Sequence, residues 1–257
     1  MSASTVPQPI PVDPCFASRI PAIEYHGTEY NGGPTIQMTP EWFLDQMQWL
    51  SNNGYKALAN DEILQFVQGV AGPPKKSCIL RFDVGLAILD EIRDVILPAL
   101  QTFGFHATFY VLTSSIRDTP YKNCVCWSDL REWEQTGLVE IGSHGVYHPD
   151  YRKASVLTRL WDARVSKRII ESKLGHPISF FAFPYDSVPN HPDLLLKLFN
   201  YRLAFAGYTR VDRSVQFNDP TPFALPCYYP YSGKEIYPII TTTKTLTFRQ
   251  MIEEAIQ

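Results

Sequence analysis

Two histidines four residues apart stand in the segment Ser143-His144-Gly145-Val146-Tyr147-His148-Pro149, directly after the apolar run Val139-Glu140-Ile141-Gly142. Imidazoles at this spacing can converge on one divalent cation, and catalytic zinc takes three protein ligands plus a water. The pair alone is a weak signal; its place at a strand-to-loop junction strengthens it. A second candidate is Arg81-Phe82-Asp83-Val84-Gly85, a carboxylate followed by a turn glycine. Side chains two apart on a strand share a face, so Arg81 and Asp83 point the same way. On one reading the guanidinium keeps Asp83 ionised and supplies positive charge to the site. A purely structural ion pair gives the same pattern. The third candidate is Phe181-Ala182-Phe183-Pro184-Tyr185-Asp186.

These groups need elements that end at one place. Short apolar runs alternate with helical patterns along the chain. IPAIEYH, SCILRFDVG, HATFYVL, VEIGSHG, ISFFAFPY and YRLAFAG read as strands. TPEWFLDQMQWLSNNG reads as a helix with Thr39 as N-cap, Pro40 at its first position and Gly54 past its end. Further helices are expected from Asp61, over LDEIRDVILPALQTFG, over SDLREWEQTG with Ser128 as N-cap and Gly137 as C-cap, from Ser155 to Leu174, and over HPDLLLKLFN. Strand and helix alternate without a break in composition, which predicts one α/β domain with a parallel sheet or barrel. In such barrels functional residues lie at the C-terminal strand ends, where all three candidate segments fall. Residues 1–17, with repeated prolines, read as an arm before a domain at 18–257.

At 257 residues the chain is 45% hydrophobic and 19% charged, outside the composition of disorder. A net charge of -3 offers no overall attraction to nucleic acid. No apolar run reaches the length of a membrane span. The start lacks a basic stretch followed by an apolar one, so no signal peptide is expected and the chain as given reads as cytoplasmic. Five cysteines without framework spacing (Cys15, Cys78, Cys124, Cys126 and Cys227) read as reduced thiols.

The order of motifs resembles the NodB-homology polysaccharide deacetylases over about residues 20 to 230. Tyr25-His26, RFDVG, Ala107-Thr108-Phe109-Tyr110, IGSHGVYHPDY and FAFPYD occur in the family's sequence. The resemblance implies an irregular (β/α)7 barrel of a single domain. It also implies hydrolysis of acetyl groups on a sugar polymer, assisted by a divalent metal, usually zinc. Carried over, Asp83 matches the general base, and His144 and His148 match metal ligands. Phe183, Pro184 and Tyr185 match the groove wall, and His26 matches the tyrosine-histidine motif at the substrate side.

The chain departs from that pattern. Val84 stands where the family has its metal-binding aspartate, and Arg81 where it has threonine. Ala182 replaces the arginine that holds the base in many members, and Asp186 replaces a glycine. No histidine follows His191, so the late acid is missing, and Cys227 follows Leu225-Pro226 where relatives often carry arginine. Nothing catalytic is read into Cys227. Glu24 or Asp186 could act as a third ligand, although carboxylates are mostly exposed and a solvated or capping role is the simpler expectation. Phe223, Tyr228, Tyr229, Tyr231 and Tyr237 are dense near the C-terminus, where core packing explains most of them. Three readings follow. The first is a deacetylase-type hydrolase of an acetamido sugar or small amide with a degenerate metal site. The second is an inactive relative that binds glycan or protein. The third is an amide hydrolase that works without metal.

Overall fold

The computed structural model describes residues 16–27, 38–85, 88–207, 214–230 and 248–255. Residues 1–15 of the expected arm, Cys15, Tyr231 and Tyr237 lie outside them.

A parallel sheet runs β1 (Arg19–Tyr25), β3 (Ser77–Val84), β4 (Ala107–Val111), β5 (Val139–Ser143), β6 (Phe180–Ala182) and β7 (Leu203–Phe205). The two-residue β2 (Lys56–Ala57) pairs with the start of β3, and β8 (Ser214–Gln216) lies antiparallel beside β1. Neither of these strands was expected from the alternation. The ring closes through residues 225–228. Leu225 bridges Phe205 and Tyr228 bridges Ile23, both in parallel sense. The Leu225 amide donates to Ala204, the Ala206 amide to Leu225, and the Glu24 amide to Tyr228. This segment is the seventh stave of the expected irregular (β/α)7 barrel.

Strand β3 is buried along its whole length, as parallel strands covered on both faces are. Its alternate residues divide two environments. Leu80, Phe82 and Val84 join the apolar layer with Phe43, Met47, Ile92, Leu100 and Trp133 of the surrounding helices. Arg81 and Asp83 face the other way, and the Arg81 guanidinium lies 5.2 Å from the Tyr110 ring and 5.5 Å from the Phe205 ring.

The helices follow local signals with two corrections. Helix α1 (Pro40–Asn52) starts after Thr39, whose hydroxyl accepts the Trp42 amide. Helix α2 (Asn60–Val67) starts one residue before Asp61. Helix α6 (Val156–Leu174) is capped by Ser155 and stopped by Gly175 in the left-handed region. Ser128, expected as an N-cap, is instead inside α5 (Trp127–Gln135). Cys126 is the N-cap, because Asp129 reaches back to accept its amide at 2.7 Å. Gly137 sits left-handed one residue past the C-cap Thr136. The helix expected over LDEIRDVILPALQTFG is split into α3 (Leu89–Glu91) and α4 (Leu97–Phe103) by a π-turn at Ile92–Ile96. Pro98 accounts for the split: it has no amide to donate and its ring crowds the carbonyl four residues back, which the wider turn relieves. Helices α7 (Pro192–Lys197) and α8 (Phe248–Ala255) complete the layer. Among the described residues no helix is long and apolar enough to cross a membrane. Cys78, Cys124, Cys126 and Cys227 are free thiols.

Candidate active site

The strand ends bring most of the expected residues to one mouth. Asp83 is the penultimate residue of β3, His26 follows β1, His144 follows β5, and Pro184 and Tyr185 follow β6. The loop after β5 is held by helix α6. Asp162 accepts the amides of Val146 at 3.0 Å and Tyr147 at 3.2 Å, and the Tyr151 hydroxyl at 2.7 Å. Gly145 has φ +85, and a side chain there would strike the Asp162 carboxylate, so only glycine lets loop and helix approach. His148, Tyr185 and Asp186 also adopt positive φ, at 57°, 56° and 51°. Such strained backbone concentrates where geometry is over-determined.

His144 is 4% exposed and its Nδ1 lies 3.0 Å from the Ala182 carbonyl oxygen. A carbonyl only accepts, so Nδ1 carries the proton and Nε2 presents a lone pair. That Nε2 is 3.6 Å from Asp83 Oδ2. The His144 and His148 rings meet edge to face at 4.8 Å, and His148 meets Tyr185 at 4.3 Å. Tyr185 is 69% exposed and forms one wall of the mouth. Phe183, expected in that wall, is fully buried between Tyr151 and Phe181, and Pro184 is buried as well. Phe183 therefore braces the wall from behind, as the apolar-out register of β6 dictates.

Beneath the mouth lies a charged network inside the barrel. Arg81 has no exposed surface. One amino nitrogen lies 2.8 Å from both oxygens of Asp83, and the other lies 3.2 Å from Glu24 Oε2. Glu24 is 1% exposed, which corrects the expectation of a solvated carboxylate. Its Oε2 also accepts the Cys227 thiol at 2.7 Å, and its Oε1 is 3.5 Å from His26 Nε2. Cys227 and Glu24 are 203 residues apart; only barrel closure joins them, and no local pattern could have revealed it. Asp186 is half-buried, and its Oδ1 meets no hydrogen-bond partner among the described residues.

Charge follows burial. Burial pushes the Glu24 carboxyl up to about 8, with Arg81 opposing and Asp83 adding to the rise. Burial would raise Asp83 as well, but the Arg81 guanidinium outweighs it and holds that carboxyl below the usual range. Burial pushes His144 down to about 4, and lowers His148 and His26. Burial raises Asp186 well above its ordinary value. The mouth thus presents imidazoles whose charged forms are disfavoured, around one carboxylate whose charge Arg81 balances.

The two histidines fit a divalent cation. Burial disfavours the charged form of both imidazoles, and the Ala182 carbonyl fixes the His144 tautomer as ligating histidines are fixed. Val84 does not fit, because its side chain lies in the apolar layer. Asp83, His144 and His148 do not bring their donor atoms within 4.8 Å of one another as a group. Two other trios do, Glu24-His26-Asp83 and Glu24-Asp186-Cys227, and Arg81 stands among both. A guanidinium there competes with a divalent ion for the same oxygens.

A family model described as polysaccharide deacetylase matches residues 71–204. The poly-beta-1,6-N-acetyl-D-glucosamine N-deacetylase of Escherichia coli (strain K12) is 26% identical over 138 residues, which cover 48% of this chain and 20% of that protein. The match thus spans about a fifth of the curated relative. Among solved structures, the Streptococcus pyogenes deacetylase PplD in complex with acetate superposes with a TM-score of 0.74 at 20% identity, covering 85% of this chain and 95% of that one. IcaB from Ammonifex degensii gives 0.66 at 17% identity, covering 82% and 92%. BC0361, a polysaccharide deacetylase from Bacillus cereus, gives 0.70 at 18% identity, covering 93% and 69%. These structures share the fold.

Proposed function

The chain belongs to the polysaccharide deacetylase family, and we propose that it hydrolyses the acetyl group of an acetamido sugar at the mouth built by Asp83, His144 and His148. One observation carries the reading. With the His144 Nδ1 proton committed to Ala182, the Nε2 lone pair and Asp83 Oδ2 face each other 3.6 Å apart. Asp83 Oδ2 is then the acceptor for a proton from the attacking water, while the single Nε2 lone pair is left to ligate a cation. Asp83 accepts that proton, and Arg81 keeps the carboxylate ionised and immobile, the task that an arginine at the position of Ala182 performs in many relatives. His144 and His148 would hold the divalent ion, which when bound polarises the acetyl carbonyl and acidifies water. Tyr185 provides an exposed ring beside His148 for the sugar face. That PplD was solved with acetate, the product such a reaction releases, agrees with this reading.

A second reading, hydrolysis without metal, is favoured by the buried Arg81, which already supplies positive charge beneath the site. The test is acetate release from N-acetylglucosamine oligomers by protein purified without chelator, with added zinc, nickel or cobalt, and again after chelation. The deacetylase reading expects release, reduced at least ~100-fold in Asp83→Asn. Release insensitive to chelation moves the assignment to the metal-free mechanism. No release from any acetylated saccharide under any of these conditions sinks both.

A further inference from the structure

Helix α6 carries Leu157, Trp161, Arg164 and Arg168 on one exposed stripe, at steps of four, three and four residues. Between this stripe and Leu198, at the end of α7, lies a groove of about 950 Å³. Its upper end is Tyr147, 71% exposed, whose ring stacks on Trp161 with planes 7° apart and centroids at 5.9 Å. Tyr147 immediately precedes His148, and Asp162 pins its backbone. The aromatic platform therefore begins one peptide unit from the reaction centre.

The groove is also positively charged. On α6, Lys167 pairs with Glu171, Lys173 with Asp118, and Asp162 is spent on the loop. Arg164 and Arg168 meet no acid among the described residues. A pyranose has one face rich in C–H bonds that lies flat on an aromatic ring. Seven residues of helix, from Trp161 to Arg168, span ~10 Å, about the length of a disaccharide. A strand stacked on Tyr147 and Trp161 would bring an anionic substituent on the neighbouring sugar to the guanidiniums, which match carboxylate geometry.

We propose that this groove binds an anionic saccharide strand and delivers its acetamido sugar to the mouth. The proposal names the substrate class of the deacetylation above and rests on that reading for the saccharide. A second copy of the chain or an acidic peptide would also suit apolar and basic surface, but continuity with the His148 loop favours the sugar.

The probes are a hyaluronan octasaccharide, which alternates carboxylate and acetamido sugars, and neutral chitohexaose, titrated calorimetrically into the full chain at low and high salt. Hyaluronan is expected to bind at least ~10-fold more tightly, with the advantage shrinking as salt rises. Trp161→Ala should weaken both ligands at least ~10-fold. Arg164→Ala with Arg168→Ala should weaken hyaluronan alone and leave chitohexaose affinity unchanged. Equal affinity for the two probes, or no effect of the arginine pair, overturns the proposal. So does light scattering that shows a dimer dissolved by Trp161→Ala while saccharide affinity stays the same. Binding as expected without acetate release overturns the deacetylase reading and leaves the groove standing.

Discussion

Asp83 and Val84 are neighbours with opposite environments, and the period of a strand is the reason. Since β3 stays regular to Val84, one residue faces the lumen and the next the apolar layer. An aspartate at 84 restores the family's sequence pattern without reaching the mouth. Val84→Asp is thus expected to lose about 3–5 kcal/mol by placing an unpaired charge among Phe82, Val111 and their neighbours. It should bind zinc no better than the parent. Urea denaturation and a metal titration check this; a gain in zinc affinity with the fold intact would show that β3 ends before 84. The Arg81–Asp83 pairing was legible from the two-residue spacing. The burial of Glu24 was not, because composition favours solvated carboxylates and its partners come from other strands.

At the scale of elements, the mouth depends on α6 more than on the loop that carries the histidines. The caps of α1 and α6 were readable because Thr39, Pro40, Ser155 and Gly175 act within a few residues of themselves. The clamp from Asp162 was hidden, since it arises only when α6 packs on the loop after β5. Asp162→Ala leaves two amides and the Tyr151 hydroxyl without their acceptor. A loss of about 3 kcal/mol is expected in chemical denaturation, with weaker metal binding because His148 loses its support. Asp162→Asn keeps an acceptor for the amides and should recover most of both. Equal stability of the alanine variant and the parent would mean that water satisfies those groups.

The whole molecule is a ring, and its charged interior makes stability a function of pH. Its closure at 225–228 escaped the sequence because Pro222, Pro226 and Pro230 break up any strand pattern there. Glu24, faced by Arg81, Asp83, Cys227 and His26, titrates at about 8 when folded and near 4.5 when unfolded. It therefore contributes stability at low pH that is lost as pH rises toward 8. His144 works in reverse: folded near 4 and unfolded near 6.5, it contributes stability above 6.5 that is lost as pH falls toward 4. The two slopes oppose each other between about 4.5 and 6.5, and above 6.5 the loss from Glu24 is no longer opposed by His144. Thermal or urea denaturation should show stability falling from pH 6.5 to 8, by at most about 1.4 kcal/mol per pH unit. Glu24→Gln should flatten that fall; an unchanged slope would assign it to another group such as Asp186. The same interior has a geometric consequence. With Arg81 wedged between Tyr110 and Phe205 directly under Asp83, the barrel has a floor, and a ligand entering from the strand ends stops there. Under the proposed deacetylation this floor is expected to act as a ruler for the acyl group, with acetyl accepted in preference to butyryl and longer chains. Chain-length selectivity should then belong to Arg81, and comparing acetyl with butyryl glucosamine oligomers as substrates would read the ruler directly.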